Sequence, residues 1–399
     1  MTLITYFSAL FSRRAYNLNV QQQRAVIIVL DGCGAGEAPD SELFGDIFHP
    51  ATVKHVWEKV DGFHAPNLEA CGFLKACGVD SHPKSGSYGR LRELSAGKDS
   101  VTGHWEMMGI ITDEPFPTFP NGFPEELIVR LEKALDTHFL GNRSASGTEI
   151  IRELGTEHVQ TGHPILYTSA DSVLQLACHE EICPLERLYE MCLAIRGLCS
   201  PPYHVLRVIA RPFIGSEKEG FHRTEHRKDY PVEAPHNLVD EVQDVFGIGV
   251  VPELFNSRGF RKVVRTQDNK EHEEMLLNAL ESNARFIFAN FEDFDMLYGH
   301  RSDPEGFAKC LETFDLTLGK VLEQLRPKDL LILTADHGND PTDSSTDHTR
   351  EYVPVCVIAP GACARELGDV EGMSAVGATV ASHLGVKWKI GVPLPVTLP

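Results

Sequence analysis

Four short apolar runs in this chain show no alternation with polar residues: Ala25 to Leu30, Phe286 to Ala289, Leu330 to Leu333 and Val353 to Ile358. A strand with one wet face alternates, whereas a strand buried on both faces reads as continuous apolar sequence. The runs lead into small or acidic residues: Asp31-Gly32, Asp293 and Asp295, Asp336, and Ala359-Pro360-Gly361. Helix spacing appears between them. Phe307, Leu311, Phe314, Leu318, Val321 and Leu325 follow Pro304, which suits a first helical turn. Strands alternating with helices predict an α/β fold with a doubly wound, mostly parallel sheet. Ligands of such sheets bind beyond the carboxyl ends of the strands. That rule gathers Asp31, Asp295 and Asp336 into one place.

The middle of the chain is patterned differently. Leu127, Val129, Leu131 and Leu135 predict one helix, and Leu185, Leu188, Cys192 and Ile195 another. Ile165 to Tyr167 and Val205 to Ile209 read as strands. Prolines border this region at 115, 117 and 120 and at 231 and 235. The expected organisation is an N-terminal extension (1–23), a catalytic core (24–116 and 232–399) and an inserted smaller α+β cap (117–231).

Composition narrows the partners. The 399 residues are 42% hydrophobic and 24% charged, enough to bury a core without disulfides. The net charge of -20 argues against nucleic acid, which needs clustered Lys and Arg. It leaves room for a phosphorylated small molecule, because metal ions and a few arginines can make one pocket positive. No apolar run reaches the ~20 residues that span a bilayer, so no membrane association is expected. No protein partner is evident. The ten cysteines form no CxxC pair, which fits reduced thiols and a cytoplasmic location. Residues 1–23 lack Asp and Glu and contain Arg13 and Arg14. A transit peptide has that composition too, making an organellar location the alternative.

The candidate chemistry is metal-dependent. Asp293, Asp295 and His300 lie in one segment, Asp336-His337 in a second, His348 in a third, and Asp31 ends the first strand. Carboxylate and imidazole together favour Mn²⁺ or Zn²⁺ over Mg²⁺. These groups exceed the usual set for one ion, so two metals are expected. The loop Gly97 to Glu106 offers two hydroxyls, Ser100 and Thr102. A hydroxyl is weakly nucleophilic until a base or metal activates it. A two-metal site can do so for an in-line displacement, which suits phosphoryl transfer.

The stretches "VIIVLDGCGAGEAPD", "KDSVTGHWEMMG", "YTSADSVLQLACHE", "ARPFIG…FHRTEHRKDY", "NFEDFDMLYGHRSDPEGFA" and "TADHGNDPTDSSTDHTREYVPV" resemble, in the same order, prokaryotic-type phosphopentomutase. That family belongs to the alkaline-phosphatase superfamily, and the resemblance runs from about residue 24 to the end. It implies an isomerase interconverting ribose 1-phosphate and ribose 5-phosphate, and the deoxyribose pair, through a 1,5-bisphosphate. It implies Thr102 as the phosphorylated nucleophile. Asp31, Asp336 and His337 would bind one Mn²⁺, and Asp295, His300 and His348 the other. Asp295 is preferred to Asp293 because its spacing to His300 resembles the family's. Ser169, Asp171 and Val173 would line the sugar site. Arg207, Ile209 and Arg223 would hold the distal phosphate, with Arg211 and Arg227 as further candidates. A sugar bisphosphate such as glucose 1,6-bisphosphate would prime the enzyme. The rival readings are a phosphoglycerate mutase, which usually carries serine as nucleophile, a phosphatase, and a silent metal-binding protein. The first 20 or so residues have no counterpart.

Overall fold

The computed structural model describes residues 22–169, 172–264 and 266–396. The expected extension therefore lies almost wholly outside the described residues, as does Asp171. The chain divides into two compact units. One comprises the flanks, up to Glu114 and from Ala234 onward; the other is Pro115–Glu233.

The first unit is built on an eight-stranded sheet. Its order is Phe260–Val264, Val245–Ile248, Phe286–Phe291, Arg24–Leu30, Asp329–Thr334, Val353–Ile358, Ser87–Arg92, Arg365–Glu371. The first five strands run parallel. Val353–Ile358 is antiparallel to both neighbours, and Arg365–Glu371 is parallel to Ser87–Arg92. The fold is thus α/β with a mostly parallel sheet carrying one reversed strand.

All four continuous apolar runs form strands, and every residue of those strands is buried. Ser87–Arg92 instead alternates buried and half-buried positions. The edge strands Phe260–Val264 and Arg365–Glu371 have mostly exposed or half-buried residues and no apolar run to announce them. The helix anticipated after Pro304 spans Pro304–Gln324 and buries Phe307, Leu311, Phe314, Leu318 and Val321. Asp303 caps it by accepting the Gly306 N–H at 2.9 Å.

The topology places the chemistry. Arg24–Leu30, Phe286–Phe291 and Asp329–Thr334 are adjacent and parallel, so Asp31, Asp295 and Asp336 leave the same edge. Val353–Ile358 runs backwards, so residues just before it, His348 and Arg350, arrive at that edge too. Ser87–Arg92 runs forward and delivers the loop to Ser100.

The second unit has its own sheet, in the order Leu140–Ser144, Ile165–Thr168, Val173–His179, Arg207–Ser216, Gly220–Arg223, with Lys228–Pro231 also paired to Arg207–Ser216. Helices Glu125–Leu135 and Leu185–Leu198 pack one core with Leu166, Leu174, Leu176 and Val208. Val129, placed on that helix by periodicity, faces solvent. The strand expected from Val205 starts at Arg207 and continues to Ser216. Val205 and Leu206 are buried coil whose N–H groups go to Cys199 and Ser172 carbonyls. No helix among the described residues is long and apolar enough to cross a membrane.

Candidate active site

Asp31 follows its strand immediately and is buried. Its Oδ2 accepts from Asn290 Nδ2 at 2.6 Å. Asp336 is fully buried, and its Oδ1 accepts from the N–H groups of Gly32 (3.1 Å) and His337 (3.2 Å). His337 Nε2 lies 3.4 Å from both Asp31 Oδ1 and Asp336 Oδ2. Ligand atoms of Asp31, Asp336 and His337 fall within 4.8 Å of one another.

Asp295, His337 and His348 form a second such group. His300 joins it through Asp295, its Nε2 3.1 Å from Asp295 Oδ2. The His337 and His348 ring centroids are 4.1 Å apart, and those of His300 and His348 4.8 Å. All six residues singled out as metal ligands converge, with His337 common to both groups. Asn339 steadies the second group by donating to Asp295 Oδ1 at 2.7 Å.

The electrostatics call for cations. Among the described residues, Asp31 Oδ1 and Asp336 Oδ2 are buried and accept no well-formed hydrogen bond, facing only the imidazole nitrogens of His337 at 3.4 Å and, for Asp336, His104 at 3.3 Å. A buried anionic oxygen without a partner is costly. Burial and the Asp336 charge push Asp31 up to about 6. Burial also opposes ionisation of Asp295, but hydrogen bonds from His300 and His348 outweigh it and hold the carboxyl well below its ordinary range. The Asp295 hydrogen bond raises His300 to about 9. His337 is raised despite burial, by Asp336 and Asp31. Protons on imidazoles thus balance the carboxylates, and divalent ions with oxygen and nitrogen ligands fit the same place.

The hydroxyl loop abuts this cluster. It opens the helix Ser100–Met107, capped by Asp99, whose Oδ1 accepts from Val101 N (2.9 Å) and Thr102 N (3.2 Å). Ser100 Oγ sits 3.1 Å from His337 Nε2. Thr102 is buried, and its Oγ1 donates within the capping box to Asp99 O at 2.9 Å. Both hydroxyls left open by the sequence therefore belong to one helix turn at the cluster, and Ser100 contacts a cluster histidine directly. A Cβ on Gly103 would collide with the Asp336 carbonyl, so glycine lets the helix press against the ligand strand. Gly103→Ala is expected to cost about 1–3 kcal/mol through overpacking. It should also lower turnover by about 10²-fold if the helix shifts by an ångström. Thermal melts together with steady-state rates check both effects.

Two buried charges missed in the sequence hold this loop. Arg350 donates to Glu93 Oε2 (2.6 Å), Glu93 O (2.7 Å), Ser95 O (2.9 Å) and Gly97 O (2.6 Å), and pairs with Asp40 at 3.0 Å. Glu106 accepts from the N–H groups of Leu94 (2.9 Å), Ser95 (2.6 Å) and Met373 (2.8 Å). Both stand inside the motif stretches, but burial of a charge is not visible in a one-dimensional pattern. Charge-assisted bonds of this kind fix backbone geometry strongly.

In the second unit Val173 and Arg207 pair in register, and Ile209 lies two residues further along the same strand. Val173 and Ile209 are buried, so their side chains do not face solvent. Ser169 follows the strand Ile165–Thr168 and is half-buried. Arg223 ends a different strand, opposite Phe213, and is exposed. Of the further arginines, Arg227 is forked onto Asp229 at 2.7 and 2.6 Å, and Arg211 Nε donates to Gln175 at 2.8 Å.

Comparison with known proteins agrees with this geometry. A family model described as Metalloenzyme superfamily matches residues 23–388. A phosphopentomutase of Symbiobacterium thermophilum is 46% identical over 378 residues, covering 91% of this chain and 95% of that protein. Phosphopentomutase of Carboxydothermus hydrogenoformans is 46% identical over 382 residues, covering 92% and 97%. That of Acetivibrio thermocellus is 45% identical over 376 residues, covering 91% and 96%. With near-complete coverage on both sides, the chain belongs to the phosphopentomutase family, isomerases of the intramolecular phosphotransferase class within the Metalloenzyme superfamily.

Proposed function

We propose that this enzyme interconverts ribose 1-phosphate and ribose 5-phosphate, and the 2-deoxyribose pair, by a phosphothreonine route. Convergence of six potential ligands on one sheet edge, with a hydroxyl-bearing helix turn pressed against them, carries the reading. Asp31, Asp336 and His337 would hold one Mn²⁺, and Asp295, His300 and His348 the second. Bound metals supply neutralisation of phosphoryl charge and activation of the attacking oxygen.

Thr102 is the phosphate carrier. It donates its phosphoryl group to a pentose monophosphate, giving the 1,5-bisphosphate, and recovers the other phosphate. A sugar bisphosphate such as glucose 1,6-bisphosphate primes it. Ser169 and Asp171 would contact the sugar beside the buried Val173, and Arg207 and Arg223 the distal phosphate beside the buried Ile209. Arginine suits that task because its fork matches phosphate oxygens. The ten cysteines are all free thiols, nine of them buried or half-buried, which supports a reducing cytoplasm.

One specific observation favours a second reading of the carrier. Ser100, not Thr102, has its hydroxyl at His337. The proposed reaction itself is tested by incubating ribose 1-phosphate with enzyme, Mn²⁺ and bisphosphate primer, following ribose 5-phosphate and free phosphate together. The mutase reading expects ribose 5-phosphate with little free phosphate. Stoichiometric free phosphate would make the protein a phosphatase.

A further inference from the structure

We propose that Asp99 is the general base and acid of the phosphothreonine cycle, in addition to capping its helix; this rests on Thr102 as the carrier. Thr102 Oγ1 lies 3.1 Å from Asp99 Oδ2. That is within the 2.6–3.2 Å reach required of a proton acceptor. The other oxygen, Oδ1, is occupied by the Val101 and Thr102 N–H groups. The carboxylate is therefore held by its cap bonds with one oxygen aimed at the reacting hydroxyl. The Asp99 carbonyl also accepts from Oγ1, at 2.9 Å, but a carbonyl cannot keep the proton once the oxygen attacks.

The atoms balance as follows. When Thr102 takes a phosphoryl group from the bisphosphate, Oγ1 bonds to phosphorus and the phosphorus–sugar oxygen bond breaks. The hydroxyl proton passes to Asp99, and the released sugar oxygen takes a proton from water. In the opposite half-reaction phosphorus leaves Oγ1 for a sugar hydroxyl, Asp99 returns its proton to Oγ1, and the sugar hydroxyl gives its proton to water.

Capping and proton transfer are separable by substitution. Asparagine caps helices about as well as aspartate but cannot accept the proton. Glutamate can accept the proton but caps poorly. For proton transfer, Asp99→Asn should lower kcat by about 10²–10⁴-fold with KM, Mn²⁺ affinity by calorimetry and melting temperature held. Asp99→Glu should then turn over at least about tenfold faster than Asp99→Asn, although less stable. A purely capping role reverses the order, with Asp99→Asn near wild type and faster than Asp99→Glu. That reversed order, or equal rates, would overturn the inference. The labelled residue in primed wild-type enzyme is located alongside. Label on a residue other than Thr102 would defeat the carrier reading, whereas label on Thr102 with the reversed order defeats only the role of Asp99.

Discussion

Thr102→Ala is expected to abolish mutase turnover, by at least about 10⁴-fold, while the protein stays folded. Removing a nucleophile that carries a covalent intermediate eliminates the route rather than slowing it. The structural loss is small by comparison. Thr102 Oγ1 bonds within its own helix turn, so alanine removes about 1 kcal/mol of capping-box hydrogen bonding. The Asp99 bonds to Val101 N and Thr102 N involve backbone donors and survive the change. Rate measurement and a thermal melt on the same preparation separate the two effects. A variant retaining mutase activity would remove Thr102 from the mechanism.

Stripping the metals should be comparably severe. Three buried carboxylates and three imidazoles converge, and two of the carboxylate oxygens accept no well-formed hydrogen bond. Chelation is expected to suppress activity by at least about 10³-fold, with Mn²⁺ restoring it. The melting temperature should rise on reloading, because an ion at 100 times its Kd stabilises by about 2.7 kcal/mol. Affinity should also depend on pH with a definite sign. His300, raised to about 9 by Asp295, must lose its proton to bind a metal. Mn²⁺ binding should therefore release protons at neutral pH and tighten as pH rises toward 9. Calorimetry in buffers of different ionisation enthalpy measures that release. Full activity in metal-free enzyme, or no proton release at neutral pH, would contradict this picture.

The parts readable from sequence share a physical cause. Continuous apolar runs such as Ala25 to Leu30 and Leu330 to Leu333 are forced by burial on both sheet faces. The residues ending them, Asp31 and Asp336, stand out because the strand rule says where they point. The edge strands Phe260–Val264 and Arg365–Glu371 gave no such signal, since a half-wet edge needs no apolar run. The reversed direction of Val353–Ile358 was also hidden, because a buried antiparallel strand has the same composition as a parallel one. Yet that reversal brings Arg350 and His348 to the site edge. Buried charges such as Arg350 and Glu106 are legible only once their partners are folded around them. The loop residues by themselves leave Ser100 and Thr102 as alternatives because both lie within one helix turn; the family resemblance points to Thr102, while in the fold Ser100 lies at His337 and Thr102 at Asp99.

The most direct test is to locate the transferred phosphate. The enzyme is incubated with Mn²⁺ and radiolabelled sugar bisphosphate, digested, and the labelled residue is identified by mass spectrometry. Label should appear on Thr102 and chase into ribose 1,5-bisphosphate when ribose 5-phosphate is added. Label on Ser100, or no covalent label during active turnover, would contradict the account.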